Sequence, residues 1–129
     1  MNEQGGAGVL LAAVAGVILL LAAVIAGVGS YLLARVEAVA AADAAALAAA
    51  PVTFLPFGAS GTPAEEAARF AAANGAQLLS CVCPVDPSWE PRAVTVQVAR
   101  EASVWPIGSI TVTATGRAEF LPALLLTEE

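Results

Sequence analysis

The first third of the chain is an unbroken apolar run. No charged residue occurs from Gln4 to Ala34, whereas a helix needs only about 20 apolar residues to cross the hydrocarbon core of a bilayer. Tyr31 and Arg35 follow one helical turn apart at the end of the run, where an aromatic ring and a cation suit the membrane–water interface. The pattern therefore predicts one transmembrane helix.

A cleavable secretory signal is the alternative interpretation of this run. Signal peptides carry a positively charged start and an apolar region of about 7–15 residues. The run here is longer, and residues 1–4 contain no Lys or Arg, although small-residue cleavage sites lie around residues 48–50. The sequence favours an uncleaved anchor over a secreted effector or binding domain that signal peptidase releases.

The helical pattern continues beyond Arg35. Residues 36–50 are almost all strong helix formers, and Pro51 then predicts the end of the helix. A single helix from Gly8 to Ala50 would be about 65 Å long, far more than a membrane requires. Residues 1–50 are thus predicted to form a transmembrane anchor whose second half stands outside the bilayer or packs along another element.

The remaining residues predict a small α+β domain. After a linker at residues 51–62, Thr62, Pro63 and Glu65 have the spacing of a helix N-cap with a capping box, and this helix closes at residues 74–75. Residues 76–83, 93–100 and 109–116 then read as strands. The order predicts a pilin-like α+β fold in which residues 63–129 carry a short helix and a three-stranded antiparallel sheet, with the long helix over one face.

Composition narrows the function. Hydrophobic residues make up 59% of the 129 residues and charged residues only 12%, which fits a membrane anchor better than a soluble domain. The net charge of −6 disfavours nucleic-acid binding, because phosphate would be repelled. The chain has no histidine, which excludes histidine-dependent catalysis and histidine metal sites. We expect no enzymatic activity, no cofactor and no small-molecule substrate.

Small residues in the apolar run are candidates for helix packing. They recur at every fourth position, which lets helices approach closely in lipid, although an Ala- and Gly-rich composition also produces such spacing by chance. The first ridge contains Gly8, Ala12 and Gly16, and the second contains Ala22, Ala26, Ser30 and Ala34.

Two charged residues on the predicted rod are candidates for docking. Asp43 falls on the faintly apolar stripe that Val36 and Leu47 define, and Arg35 diverges from it. Asp43 is either a solvated charge on an alanine-rich helix or a contact to a domain or partner group, since a buried carboxylate needs a partner.

The cysteines and tryptophans leave several interpretations open. In a strand, Cys81 and Cys83 would lie nearly 7 Å apart on one face, so a disulfide between them would be strained. They are otherwise two small buried residues or form an inter-chain disulfide, and two thiolates rarely hold a structural zinc ion. Trp89 and Trp105 are either partner contacts or core residues. Asp86 and Glu90 beside Trp89 fit a solvated turn.

Residues 31–50 resemble a known family. The segment has Tyr31 at the end of the anchor, then Arg35, then Asp43 within an alanine-rich stretch that contains Leu47. In this it is similar to the TadE- and TadG-type proteins of Tad/Flp pili, and residues 71–81 with the strands that follow resemble small actinobacterial TadE-like proteins.

The resemblance implies a minor pilin or pseudopilin of a type IV-related pilus or secretion apparatus. It implies that other pilin-like subunits and the membrane are the partners, and that the C-terminal domain lies outside the cytoplasm. Charge bias alone gives little support for this orientation, because Arg35 follows the helix and no Lys or Arg precedes it.

Overall fold

The computed structural model describes residues 4–57 and 61–127, so residues 58–60 of the predicted linker lie outside the described residues. Its elements are α1 (Gln4–Val52), a 3-10 turn (Leu55–Phe57), α2 (Pro63–Ala73), β1 (Gln77–Val82), β2 (Arg92–Val104), β3 (Gly108–Phe120) and a second 3-10 turn (Pro122–Leu126). The strands form one antiparallel sheet in the order β1-β2-β3. The predicted α+β class, with a long helix, a short helix and three strands, is confirmed.

Helix α1 runs without interruption from the apolar run into the small domain. It has 49 residues, which corresponds to a length of about 74 Å. Pro51 lies in its last turn, and the helix ends one residue later at Val52. Thr53 then closes the helix, because its hydroxyl donates to the carbonyl of Ala50 at 2.6 Å and its N–H donates to the same oxygen at 3.2 Å.

The core lies between the second half of α1 and one face of the sheet. The helix contributes only small side chains, namely the buried residues Ala34, Ala38, Ala41, Ala42, Ala45, Ala46, Ala49 and Ala50. Strand β2 contributes the larger apolar groups Val94, Val96 and Val98, all fully buried. Because a methyl group projects little from the helix, the valine side chains can pack against the helix backbone over a long contact.

Strand β3 brings the sheet close to the helix. Val112, Ala114, Gly116 and Ala118 are buried, whereas the threonines that alternate with them are exposed. A Cβ atom on Gly116 would lie 2.4 Å from the carbonyl carbon of Ala42 and 2.7 Å from the amide nitrogen of Asp43. Only glycine fits at this position. The alternation of buried and exposed residues gives the sheet one face against α1 and one polar face, as in antiparallel sheets with one solvated side.

Helix α2 has the predicted N-terminus. The Thr62 hydroxyl accepts from the Glu65 N–H at 3.2 Å, and the Glu65 carboxylate accepts from the Thr62 N–H at 2.8 Å. The capping box is therefore reciprocal. Ala67 and Ala71 are fully buried in the same core as the alanines of α1, so α2 covers a second side of the long helix.

Two strands are longer than the sequence predicts. The β2–β3 ladder runs from the Arg92–Phe120 pair to the Val104–Gly108 pair, whereas the apolar alternation predicts strands that end at Arg100 and Gly116. Successive polar residues at Arg100 and Glu101 interrupt the pattern, but backbone pairing with β3 continues past them. The turn that joins the strands is residues 105–107.

Part of the predicted linker belongs to the core. Thr53 is fully buried and Phe54 is only 3% exposed. The amide of Asp86 donates to the carbonyl of Thr53 at 3.0 Å, and Phe54 pairs with Asp86 as an isolated bridge. The segment that follows α1 is thus held against the proline-rich turn at residues 84–91.

Candidate assembly surface

The N-terminal half of α1 is exposed and apolar. Every described side chain from Gly5 to Ala22 is exposed, as are most of those up to Leu33. Val9, Leu19 and Ile25 have about seven-tenths of their surface uncovered at 72%, 71% and 72%. A soluble monomer rarely leaves so large an apolar patch uncovered. Within the described residues, α1 is also the one helix long and apolar enough to cross a membrane.

The environment of α1 changes at Ala34. Side chains before this residue have few contacts within the chain, whereas Ala34, Ala38 and the following alanines of the same face are buried against the sheet. No break in the helix accompanies the change. One rigid helix therefore carries a free apolar surface at one end and the domain core at the other.

The two predicted small-residue ridges lie mostly on the free surface. Gly8, Ala12, Gly16, Ala22 and Ala26 are exposed, and a Cβ atom on either Gly8 or Gly16 would meet no atom within 4 Å. Ser30 is half-buried, and its hydroxyl donates to the carbonyl of Ala26 at 2.9 Å within the same helix. The packing of these ridges against partner helices stays a prediction.

Arg35 and Asp43 are both exposed. Among the residues that the structure describes, neither side chain forms an ion pair or a hydrogen bond. The backbone of Asp43 instead lies against Gly116. Its side chain is exposed, and its docking to a partner stays a prediction.

The ion pair that does join α1 to the sheet uses Glu37 and Arg100. The Arg100 Nη2 atom lies 2.9 Å from the Glu37 Oε2 atom, and Nη1 donates to the carbonyl of Asn74 at 2.8 Å. Arg100 therefore connects α1, the end of α2 and β2. The sequence does not predict this pair, because Glu37 and Asp43 are both carboxylates on the same alanine-rich helix. Only the packing of the sheet on α1 determines which of the two lies beside an arginine.

Comparison with known proteins agrees with this arrangement of α1. A family model described as "Tad: Putative Flp pilus-assembly TadE/G-like" matches residues 5–52. Residues 5–52 are therefore similar to this family, and they are called the TadE/G-like segment below. The resemblance predicted from residues 31–50 is confirmed over this range, which coincides with the described length of α1. No curated protein and no solved structure matches the chain.

The match and the apolar helix are together consistent with a membrane-anchored protein of Tad pilus assembly. The TadE/G-like segment includes both the exposed half of α1 and the half that covers the sheet. A pilus-assembly segment of this kind indicates interaction with other pilus components, and the exposed half is the surface that such contacts could use.

Arg92 fixes the chain just after the TadE/G-like segment. Its guanidinium donates to the carbonyls of Thr53 and Glu90, each at 3.2 Å, and also to the carbonyls of Asp86 and Ser88. Its Cζ atom lies 5.7 Å from the centre of the Phe54 ring. One side chain thus satisfies four carbonyls and ties the proline-rich turn to the end of α1, a role that nothing in the sequence pattern indicates.

Asp86 forms a hydrogen bond within the proline-rich turn. The Asp86 Oδ1 atom accepts from the backbone N–H of Ser88 at 2.7 Å. This hydrogen bond, together with the charge of Arg92, lowers the pKa of Asp86 below its ordinary value. Asp86 and Glu90 are both exposed, and the structure gives Asp86 the role of shaping the turn, in line with the solvated turn that the sequence predicts.

The two tryptophans lie at opposite ends of the sheet. Trp89 packs edge-on against Phe54, with ring centroids 4.9 Å apart, and is 47% exposed. Trp105 lies in the β2–β3 turn beside the TadE/G-like helix and is 65% exposed. Neither is a core residue, so both are available as partner contacts, which stays a prediction.

Cys81 and Cys83 form a disulfide with each other. Their Cα atoms are 5.4 Å apart, so the expected separation of nearly 7 Å was wrong. Strand β1 ends at Val82, and Cys83 therefore leaves the extended conformation that would hold the sulfurs apart. Over the described ranges no group of histidine, cysteine and acidic residues could hold a metal ion.

Proposed function

We propose that this protein is a minor pilin or pseudopilin-like structural subunit of a Tad-type pilus or secretion apparatus, without enzymatic activity. The observation that carries the proposal is the continuity of α1. One helix presents an exposed apolar surface from Gly5 to Leu33 and buries its next turns as the core of a small domain. A subunit built in this way can pack its anchor against neighbouring helices and hold its sheet domain at a fixed position.

The domain is proposed to lie outside the cytoplasm. The disulfide between Cys81 and Cys83 supports this placement, because disulfides persist in oxidising compartments and are rare in the cytosol. The net charge of −6 also agrees with a domain that a negatively charged cytoplasmic leaflet does not attract.

Release by signal peptidase is the less favoured alternative. Cleavage around residues 48–50 would remove the buried alanines of α1 from Ala34 to Ala49. The sheet would then expose Val94, Val96 and Val98, which pack in the same cluster. A domain released in this way would lose one side of its only core within the described residues, so we propose that the helix stays attached.

Cysteine crosslinking in membranes tests helix packing. With Cys81 and Cys83 bonded to each other, a cysteine introduced by Ala12→Cys or Ala26→Cys is the free thiol in the described part of the chain. We expect both variants to crosslink to a pilus component in cells that express the apparatus. Leu21→Cys, on the opposite side of the helix at 100° per residue, is the matched control and should crosslink much less.

The outcomes separate the hypotheses. Equal crosslinking at all three positions, or none at any, would contradict packing through the small-residue ridges. N-terminal sequencing of the mature protein provides an independent test: a first residue near Pro51 would overturn the anchored subunit and support the released domain.

Asp43 provides a second test of assembly. Asp43→Asn removes an exposed charge that makes no described contact, so we expect the thermal unfolding of the variant to match the parent protein within about 0.5 kcal/mol. We also expect less of the variant to copurify with pilus components. Unchanged copurification would leave Asp43 as a solvated charge and would remove it from the proposed interface.

A further inference from the structure

The tip of the β2–β3 hairpin touches the apolar half of α1. A Cβ atom on Gly27 would lie 3.2 Å from the carbonyl oxygen of Trp105 and 3.9 Å from Cγ1 of Val104. The glycine therefore admits the hairpin backbone to the surface of the helix. This contact lies two turns before Ala34, where the buried core of the domain begins, so the hairpin extends past the domain along the anchor.

Beside this contact, a groove of about 710 Å³ lies between the hairpin and α1. Helix α1 lines it with residues from Leu20 to Tyr31, and the hairpin lines it with Val104, Pro106, Ile107 and Ile110. The Tyr31 hydroxyl is the one polar side-chain group of this lining. An apolar groove of this kind would be costly to leave filled with water.

The position of the groove follows from the charge-free run. About 20 residues of helix span the hydrocarbon core, and the run without charge extends from Gln4 to Ala34. Every placement of such a span within the run includes residues 15–23, so Leu20 and Ala23 lie in hydrocarbon whichever placement holds. Gly27 is about 10 Å further along the helix axis than Leu20, toward the end of the run where Tyr31 and Arg35 lie.

The residues of the tip suit this depth. Trp105 is 65% exposed and Ile107 is 76% exposed, and residues 102–110 contain no charged side chain. Tryptophan and tyrosine are enriched at the membrane–water interface, and Tyr31 lies about one turn beyond Gly27 on α1. The tip thus combines apolar side chains that favour hydrocarbon with an indole N–H that can remain near the headgroups.

We propose that the β2–β3 hairpin tip is inserted into the outer leaflet and that the groove beside Gly27 is occupied by phospholipid acyl chains. The proposal rests on the proposed membrane anchor. We infer this occupant because Leu20, which lines the groove, lies inside the hydrocarbon layer in every placement of the span. The groove is therefore continuous with the acyl chains of the bilayer. The hairpin acts as a second membrane contact, which holds the sheet domain at one height and one tilt above the bilayer.

Fluorescence quenching in vesicles tests the insertion. The full-length protein is reconstituted into phosphatidylcholine vesicles with or without bromine atoms on the acyl chains. In Trp89→Phe, Trp105 is the remaining tryptophan, and we expect it to lose most of its emission in brominated vesicles. Trp105→Phe is the matched control, because Trp89 lies at the other end of a β2–β3 ladder about 40 Å long and should keep its emission.

A charge at the tip provides a second variant. Ile107→Asp in the Trp89→Phe background should shift Trp105 emission to longer wavelength and reduce the quenching, because a carboxylate is costly in hydrocarbon. Leu126→Asp, at a leucine of similar exposure (69%) beyond the far end of β3, should leave the quenching unchanged. Equal effects of the two substitutions would overturn the proposal.

Flotation of the same vesicles separates this proposal from the anchor itself. Protein that does not float with the vesicles would contradict the anchor and this proposal together. Protein that floats while Trp105 is not quenched would overturn the hairpin insertion and leave the anchor in place. Quenching that disappears as the protein-to-lipid ratio rises would assign the groove to a second copy of the chain and would also overturn lipid occupancy.

Discussion

Gly116 of β3 lies directly on the backbone of Ala42 in α1. A Cβ atom at this position would be 2.4 Å from both the carbonyl carbon and the carbonyl oxygen of Ala42, a distance that no real contact tolerates. The close approach of the sheet to the helix therefore depends on the missing side chain. It also explains how a helix face made almost entirely of alanine can form a sealed core.

Substitution of Gly116 by alanine should destabilise the domain. The added methyl group forces β3 away from α1, and overpacking of this kind typically costs about 1–3 kcal/mol. Thermal unfolding of the purified protein in detergent micelles, followed by circular dichroism, measures the loss. Gly29→Ala is the matched control, because a Cβ atom there meets nothing within 4 Å. A Gly116→Ala variant that melts with the parent would show that the helix and sheet are not in this contact.

Arg92→Lys should loosen the proline-rich turn. Lysine keeps the charge but cannot reach four carbonyls with one planar group, and each hydrogen bond lost typically costs about 0.5–1.5 kcal/mol. Denaturant titration would measure the change, and Trp89 emission should move to longer wavelength as its contact with Phe54 weakens. Arg117→Lys, in an exposed pair with Glu119 at 3.6 Å, should change neither reading. Equal stability of the two variants would contradict the role assigned to Arg92.

A double-mutant cycle should detect coupling between Glu37 and Arg100. The pair is partly exposed, so we expect a coupling energy of about 0.5–1 kcal/mol from Glu37→Gln, Arg100→Met and the double variant. The coupling should decrease at high salt, because screening weakens partly exposed pairs. The same cycle with Asp43→Asn in place of Glu37→Gln should give no coupling. Coupling of Arg100 to Asp43 instead would contradict the described packing of α1 on β2.

The proline-rich turn should loosen at acidic pH. The pKa of Asp86 is lowered by the hydrogen bond from Ser88 and by Arg92, so its contribution is fully present above the ordinary value of 3.8 and is lost as the pH falls through the depressed value. Trp89 emission in a Trp105→Phe background reports the change locally. Asp86→Asn should abolish this acid transition.

A carboxylate elsewhere provides the control for the acid transition. The pKa of Glu66 is also lowered, by the hydrogen bond from Arg69 on α2. Glu66→Gln removes this group at a distance from the turn, so the pH dependence of Trp89 emission should be preserved. An acid transition that persists in Asp86→Asn would assign it to another group.

Local sequence signals determined several elements directly. The charge-free run and the helix-forming residues up to Pro51 predict one long helix, and backbone hydrogen bonds within a helix need no other element. Thr62, Pro63 and Glu65 determine the start of α2, because a capping box involves only neighbouring residues. The order of helices and alternating strands was enough for the α+β class, and the segment around Arg35 and Asp43 was enough for the resemblance to TadE- and TadG-type proteins.

Only the tertiary contacts determined which face of α1 is buried, which of its carboxylates forms an ion pair and how far the strands extend. Alanine-rich turns look alike on all sides, so only the sheet determines that Ala34 begins the buried face and that Glu37, not Asp43, meets an arginine. The extra length of β2 and β3 depends on pairing between strands that the apolar alternation does not report. The same pairing brings Trp105 to Gly27, residues far apart in sequence, because a long hairpin packed along a straight helix must end beside the anchor.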